Sequence, residues 1–466
     1  MDTLDALIDD FVAHFYEESP AHATMHGIAG HDDRLPDLTA EGFDRRDEAD
    51  DNFASRFGAL DDDELTADER IDRDVVLAHL RGRAILRDWA TWKREPERYL
   101  NPGLMGVFSL FLRRPHPEPD LARCAVDRLG QVPALLDAAR ANLDADLASG
   151  VMVERGLGQC RSAIRYCRQL VPAEVADDDL RADVAEAGEA AADAYEDFGT
   201  WLEEVGTRAC GDWAIGEQRY SALLREKELL GFDAAGLRDR GRAAYDELDT
   251  EMGDVARAIQ GADGDWRTVL DTLGENRPTT PEAMRRGYER CTEAARQFLV
   301  DHELVTLPEG ESCEVVPSPP FQRPLLAVAS YFMPPLFGDS RVGRFNVPYP
   351  PEDTPAEEVA QRLADNNYAS MPTTSVHEAY PGHHWHYVTL QASARRVRRV
   401  ITTPYFSEGW ALYAERMMRE QGFFAEPAHE LCHLEARIFR AARIVVDTSL
   451  HIGDMTFEEA VTFMTT

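Results

Sequence analysis

The sequence predicts a mostly α-helical protein, of α+β class, with a small β-sheet late in the chain. Three observations favour this fold. Apolar residues recur three and four positions apart through most of the first 300 residues, and helix-capping patterns precede several of these segments. Near residue 305 the composition changes to β-branched, aromatic and proline residues, which is typical of short strands.

Amphipathic helices are predicted first, in chain order, at 3–18, 64–92, 119–147, 172–206, 233–260 and 281–301. Thr66 and Glu69 have the spacing of a capping box, and Pro281 suits a first helical position. Proline- and glycine-rich joints are predicted at 101–118 and 261–280.

The later part of the chain is predicted to form strands at 312–317, 325–332 and 343–347, then helices from about 354 and at 371–392, 404–421 and 427–452. We therefore divide the chain into a helical region, 1–304, and a core with a small sheet, 305–466. The helical region is expected to form one wall of a deep cleft.

Charge excludes several classes of partner. The 49 basic and 85 acidic residues give a net charge of −36, and the only lysines are Lys93 and Lys227. Such a field repels nucleic acid and anionic lipid, so we expect neither nucleic acid nor membrane as a partner. This composition also indicates adaptation to molar salt, where the Debye length is about 3 Å.

Cysteine usage and the start of the chain predict a cytoplasmic protein. The seven cysteines are scattered without a C-x-x-C pair, which is typical of reduced thiols. The start, MDTLDALIDDFVAHFYEE, lacks the basic and apolar regions of a signal peptide, and no run of 18 apolar residues occurs.

The segment SVHEAYPGHHWHYV, residues 375–388, nearly matches the zinc-peptidase motif H-E-x-x-H. His377 and Glu378 supply a ligand and a general base, but Pro381 stands where the second histidine belongs. On a regular helix His383 would lie about 240° round from His377. An expanded turn at Pro381 and Gly382 would bring the two imidazoles together, so we predict a modified zinc site. His384 and His386 are interpreted as packing or cleft residues.

A third ligand is predicted from FSEGWALYAERM, where Glu408 and Glu415 are seven positions apart on one helix face. One of the two can bind the metal while the other hydrogen-bonds to a ligand histidine.

The motifs H-E-x-x-P-G-H and E-G-W-A-L-Y-A-E resemble those of the prokaryotic family known as domain of unknown function 885, which is grouped with the gluzincin metallopeptidases. The resemblance extends to SPAHATMHGIAGHDDRLPDLT and RAARIVVDTSLH, and so covers almost the whole chain. E-G-W-A-L-Y also resembles the N-E-G-F-A segment of the aminopeptidase N class, which implies that Glu408 is the third Zn²⁺ ligand. Family members usually continue beyond the point corresponding to VTFMTT, so we expect a C-terminally short member.

Four further residues are candidates. Asp447 and His451 can hydrogen-bond on one helix face, and His451 could donate to an oxyanion; a paired helix-end histidine is the alternative. Tyr331 and Asn346, the latter in the GRFNV strand, could hold an extended peptide by backbone pairing, although a buried core strand is favoured. The arginine run SARRVRRV is interpreted as a salt-bridged helix end rather than a grip for a substrate carboxylate.

The sequence thus predicts a zinc-dependent hydrolase of peptide or related amide bonds in short peptides, with Glu378 as the base. Three alternatives remain open: a catalytically impaired member of the fold, a zinc esterase or amidase acting on small metabolites, and a non-catalytic helical scaffold.

Overall fold

The computed structural model describes residues 3–261, 264–320, 322–323, 327–351 and 354–465. The chain forms two compact units. The first comprises residues 1–215 and 395–401, and the second comprises residues 216–394 and 402–466. The predicted division at 304/305 follows the change from helix to strand composition, which lies inside the second unit.

Helices make up the first unit. They are α1 (Leu4–Glu18), α2 (Pro20–His26), α3 (Ala40–Gly58), α4 (Ala67–Asp88), α5 (Thr91–Arg94), α6 (Glu97–Arg113), α7 (Glu118–Asn142), α8 (Gly150–Arg165), α9 (Val171–Ala173) and α10 (Asp178–Gly206). The predicted capping box is present, since the Thr66 hydroxyl accepts from the backbone of Glu69 and the Glu69 carboxylate accepts from the backbone of Thr66.

Later elements are α11 (Gly216–Ala222), α12 (Ala234–Gln260), α13 (Trp266–Gly274), α14 (Pro281–Asp301), β1 (Ser312–Pro317), β2 (Ser330–Phe332), β3 (Val342–Val347), α15 (Ala356–Asp365), α16 (Met371–Glu378), α17 (His383–Ala392), α18 (Arg396–Val400), α19 (Pro404–Glu420), α20 (Pro427–Ile452) and α21 (Phe457–Thr465). The predicted mostly α fold with a small sheet is confirmed. Within the described residues, none of the helices combines the length and apolar character needed to cross a membrane.

The joints predicted at 101–118 and 261–280 are wrong in part. Helix α6 runs through the first, with Pro102 inside it, and α13 occupies much of the second. In α6 the buried residues Val107, Leu110 and Phe111 stabilise the helix. This stabilisation outweighs the cost of the single proline near the start of the helix. Helix α13 buries Val269 against a core cluster formed with α12 and α20.

The sheet has the order β1-β3-β2, with β1 parallel and β2 antiparallel to β3. Strand β2 is shorter than predicted, and residues 325–326 of the predicted strand lie outside the described residues. The idea that the GRFNV strand pairs with a peptide backbone is wrong, because β1 and β2 occupy both edges of β3. Asn346 is 1% exposed and pairs in register with Val316 and Ser330.

An apolar cluster packs α16, which carries His377, against α19, which carries Glu408 and Glu415. Val376 and Ala379 pack with Ala414 and Met418 and have no exposed surface. Burying such side chains stabilises the fold by about 1.5–3 kcal/mol for each large one. This packing fixes the register between the segments that carry His377 and Glu415.

The arginine run is salt-bridged, as favoured. Helix α18 belongs to the first unit, where Nε of Arg398 lies 2.5 Å from a carboxylate oxygen of Asp72. Arg395 lies 3.3 Å from the other oxygen of Asp72, whose side chain has no exposed surface. These arginines are thus engaged in holding α18 against α4.

Candidate metal centre

An interruption between α16 and α17 lies at residues 379–382. The Tyr380 amide donates to Ser375, five residues back, and the Gly382 amide donates to Val376, six residues back. The Tyr380–Pro381 peptide bond is cis. Regular α-helix bonds span four residues, so this turn is wider than a helical turn, as the sequence predicts.

Gly382 is required by this wide turn. A Cβ atom at this position would lie 1.9 Å from the carbonyl oxygen of His377 and 2.3 Å from that of Val376. Both contacts are with backbone atoms, which cannot rotate away. Only glycine therefore fits where the chain turns back on α16.

The wide turn brings together the three predicted ligands, His377, His383 and Glu408. Nε2 of His377 lies 3.4 Å from Oε2 of Glu408, and Nε2 of His383 lies 3.5 Å from Oε1 of the same carboxylate. One ligand atom from each residue lies within 4.8 Å of the others. The two imidazole rings are 4.8 Å apart and nearly perpendicular.

This donor set fits a zinc ion. Two imidazole nitrogens and one carboxylate are a ligand set of catalytic zinc sites, which keep a fourth position open. A tetrahedral ion with bonds of about 2.1 Å separates its ligand atoms by about 3.4 Å, close to the spacings between each histidine and Glu408. The arrangement can therefore accept a small divalent cation without large movement of these side chains.

Glu415 hydrogen-bonds to Nδ1 of His377. This is one of the two roles that the sequence left open for Glu415. Nδ1 of His377 lies 2.7 Å from Oε1 of Glu415, whose side chain has no exposed surface. The other carboxylate oxygen lies 3.4 Å from Nδ1 of His433, and Arg440 lies 3.6 Å from Oε1. Burial would raise the pKa of Glu415, but hydrogen bonds with His377 and His433 lower it to about 2.

Electrostatics at the triad favour a cation. Burial opposes protonation of His377, yet Glu408 and Glu415 raise its pKa to about 10. Burial and the His377 charge lower the pKa of His383 to about 4. The negative potential that protonates His377 is the same potential that would hold a metal ion between the ligands.

Glu378 lies at the end of α16 and is 8% exposed. Burial raises its pKa to about 7, with the charge of His377 opposing and that of Glu408 adding to the shift. Among the described residues, no hydrogen bond to its carboxylate is found. A buried carboxylate of this pKa is suited to accept and return a proton near neutral pH.

A second buried network supports His384, beside the triad. The Glu311 carboxylate, 1% exposed, accepts from Tyr380 at 2.5 Å and from Arg296 at 2.8 Å. Nε2 of His384 lies 2.9 Å from Glu311, and Nδ1 of His384 lies 2.9 Å from the hydroxyl of Tyr331. His384 is thus held in place by hydrogen bonds, and Tyr331 stacks on His383 at 6.4 Å between ring centroids.

His386 and the neighbouring aromatic side chains pack between α17 and α19. The rings of Trp385 and Trp410 stack at 5.0 Å, and His386 contacts Phe406 at 5.3 Å. The Trp410 indole donates to the carbonyl of Pro381 at 2.8 Å, which ties α19 to the wide turn.

Asp447 and His451 come together, as the spacing predicts, but at 3.9 Å. The Tyr220 hydroxyl donates to Asp447 at 2.6 Å, and its ring lies 5.5 Å from His451. Tyr405, one turn before Glu408, also shares a hydrogen bond with Tyr220. An oxyanion role for His451 stays a prediction.

Sequence reasoning missed Glu311, His433 and Arg440. Glu311 and Arg440 carry no local pattern, since each meets its partner only through tertiary packing. His433 had a weak signal, because His429 and His433 have the four-residue spacing that places two side chains on one helix face.

The family described as "Bacterial protein of unknown function (DUF885)" matches residues 20–466. The chain belongs to the DUF885 family. Two solved structures similar to this DUF885 protein are each described as a "putative lipoprotein". The one from Shewanella oneidensis, of unknown function, has a TM-score of 0.79 at 20% identity, over 100% of this chain and 86% of that chain. The one from Colwellia psychrerythraea has a TM-score of 0.81 at 18% identity, over 99% and 85%.

No curated protein sequence matches this DUF885 chain. At these identities the two solved structures establish the shared fold alone.

Proposed function

We propose that this chain is a zinc-dependent hydrolase that cleaves peptide or related amide bonds in short peptides, as gluzincin metallopeptidases do. The observation that carries the proposal is the convergence of His377, His383 and Glu408, with one ligand atom from each within 4.8 Å of the others. Surface carboxylates often cluster without a metal, but two buried imidazoles facing one carboxylate are the donor set of a zinc site.

A zinc ion held by these residues would act as a Lewis acid, lowering the pKa of water to about 7 and polarising a substrate carbonyl. Glu415 sets the tautomer of His377, because accepting the Nδ1 proton leaves Nε2 with a free lone pair. Glu378 takes a proton from the attacking water and returns it to the leaving amine. Arg440 places a positive charge near Glu378 and Glu408, which favours the ionised form of both carboxylates.

The test combines elemental analysis with a library of short peptides, in the salt that keeps the protein folded. Glu378→Gln should retain zinc and lose at least a hundredfold in kcat/KM, as expected for loss of a general base. Glu420→Gln on the exposed end of α19 is the matched control and should keep full activity. Equal activity of Glu378→Gln and wild type would remove Glu378 as the base.

The same experiment separates the alternatives. Bound zinc without turnover of any peptide indicates an impaired member of the fold. Turnover of ester substrates without amide cleavage indicates an esterase. Purification without stoichiometric metal, followed by no uptake of added zinc, contradicts the proposed metal centre and favours a scaffold.

A further inference from the structure

A pocket of about 420 Å³ lies within the first compact unit, apart from the histidines and glutamates of the candidate metal centre. Its wall includes Ser19, Pro20 and His22, which belong to the SPAHAT segment that carries part of the family resemblance. Its volume is within the usual range for small-molecule sites, about 300–1,000 Å³. The proposed hydrolase chemistry makes no use of this segment.

Three arginines line this pocket, Arg46, Arg83 and Arg98, while Glu18 is the one acidic residue among the described residues of the lining. This is unusual in a chain with a net charge of −36. Nε of Arg46 lies 2.5 Å from Glu18. Nε of Arg83 lies 2.8 Å from a carboxylate oxygen of Asp50, which is not among the residues that line the pocket.

Arg98 is different, because no ion pair with a carboxylate is found for it in the described part of the chain. Its guanidinium lies 6.0 Å from the ring centroid of Phe43, and that of Arg46 lies 5.2 Å from the same centroid. One buried aromatic ring therefore holds two cations in position. Part of Arg98 is exposed to solvent, although neighbouring protein atoms surround its guanidinium group.

The guanidinium groups are close enough to affect one another. Burial lowers the pKa of Arg98; the charge of Glu95 opposes this shift and that of Arg46 adds to it. Burial also lowers the pKa of Arg83, with Asp50 opposing and Arg46 adding. Holding like charges together costs free energy, and a bound anion offsets that cost.

The rest of the wall is apolar. Leu38 and Met105 face the pocket with three prolines, and the Met105 side chain is 45% exposed. A phosphate or sulfate would leave this surface uncovered, whereas a carboxylate with a hydrocarbon tail would cover it. The arginine fork matches the two oxygens of a carboxylate.

We propose that this pocket, lined by Arg46, Arg83 and Arg98, is a second ligand site that binds a carboxylate attached to an apolar group. This ligand is recognised differently from the proposed substrate. The pocket needs a free carboxylate attached to an apolar group, whereas the proposed hydrolase acts on an amide bond. The proposal does not depend on zinc chemistry at the candidate metal centre.

Isothermal titration with hexanoate tests this, using the full chain in the salt that keeps it folded. Hexanoate should bind saturably, and hexanamide and acetate should each bind at least tenfold more weakly, since they lack the charge and the tail respectively. Arg98→Gln should weaken hexanoate binding at least tenfold. Arg123→Gln, a pair-forming arginine 67% exposed on the same unit, removes the same charge and should leave binding unchanged.

A carboxylate can also bind zinc, so the titration is repeated in the His383→Ala background, where hexanoate binding should persist. Binding that disappears with His383→Ala, or that Arg98→Gln leaves unchanged, overturns the proposal. So does inorganic phosphate binding at this pocket in place of hexanoate, or equal binding of acetate and hexanoate. Near-ultraviolet circular dichroism of each variant establishes that the fold is retained.

Discussion

Glu415 lies 2.7 Å from Nδ1 of His377 and has no surface exposed to solvent. The pair places a carboxylate behind an imidazole whose other nitrogen faces Glu408 and His383. Such a carboxylate fixes the ring orientation and makes Nε2 a better ligand. The proposed metal affinity therefore depends on a residue that does not itself face the ion.

Replacing Glu415 by Gln should weaken zinc binding by about 10–100-fold, because the amide is a poorer acceptor for the His377 proton. Competition with a zinc chelator measures the affinity. Glu420→Gln, whose side chain is 55% exposed on the same helix, should bind zinc like wild type. If Glu415→Gln binds zinc with unchanged affinity, the contact between Glu415 and His377 contributes to packing and does not orient a metal ligand.

Replacing Gly382 by Ala should abolish zinc binding and destabilise the fold by about 2 kcal/mol or more, because the new methyl group overlaps the His377 carbonyl. Thermal unfolding and metal content are the measurements. Gly409→Ala is the control: nothing lies within 4 Å of a Cβ there, and alanine in a helix stabilises by about 0.5–1 kcal/mol. A Gly382→Ala protein that binds zinc normally would contradict the close packing of this turn.

The pairing of His377 with His383 could be predicted from sequence because the spacing is local. Six positions cannot place two side chains on one face of a regular helix, and Pro381 with Gly382 marks where the helix gives way. The seven-residue spacing of Glu408 and Glu415 is equally local. Which of the two faces the metal depended on family resemblance, since both choices satisfy the helix.

Non-local relations could not be predicted. The sequence favours a buried core strand at GRFNV over a peptide-binding one, but its pairing with β1 and β2 depends on segments up to 30 residues away. Glu311 is one acidic residue among 85 until folding places it against His384. Pro102 predicts a helix end, yet the buried face of α6 overrides it.

Glu311 should make stability depend on acid pH. Burial would raise its pKa, but hydrogen bonds from His384, Tyr380 and Arg296 lower it to about 2. A carboxylate with a depressed folded pKa stabilises above its unfolded pKa of about 4.5, and this stability is lost as pH falls toward 2. Between pH 6 and 2.5 the wild type should lose on the order of 3 kcal/mol from this group.

Urea unfolding at a series of pH values measures this loss. Glu311→Gln should be less stable at pH 6 and should show a shallower decline on acidification, because its side chain no longer titrates. Glu314→Gln, three residues further on in β1 and 50% exposed, should follow the wild-type curve. Parallel curves for wild type and Glu311→Gln would show that another carboxylate carries the acid sensitivity.

Salt should stabilise this protein, because its ion pairs leave carboxylates in excess. Arg168, for example, forms ion pairs with three carboxylates, those of Glu189 at 3.0 Å, Asp193 at 2.6 Å and Glu196 at 3.3 Å. Screening weakens each such exposed pair, worth about 0–1 kcal/mol, but it also relieves repulsion among the surplus carboxylates. With a net charge of −36 the second effect should win, and Tm should rise between 50 mM and 2 M potassium chloride.

The control for that prediction separates screening from preferential exclusion of solute. Sucrose at matched osmolality stabilises compact states without screening charge, so it should raise Tm by less than the salt does. Ala substitution of Asp193, which removes one of the three carboxylates around Arg168, should reduce the salt dependence slightly and raise Tm at 50 mM. A Tm that is the same at 50 mM and 2 M would mean that self-repulsion is not the force that limits stability in this acidic chain.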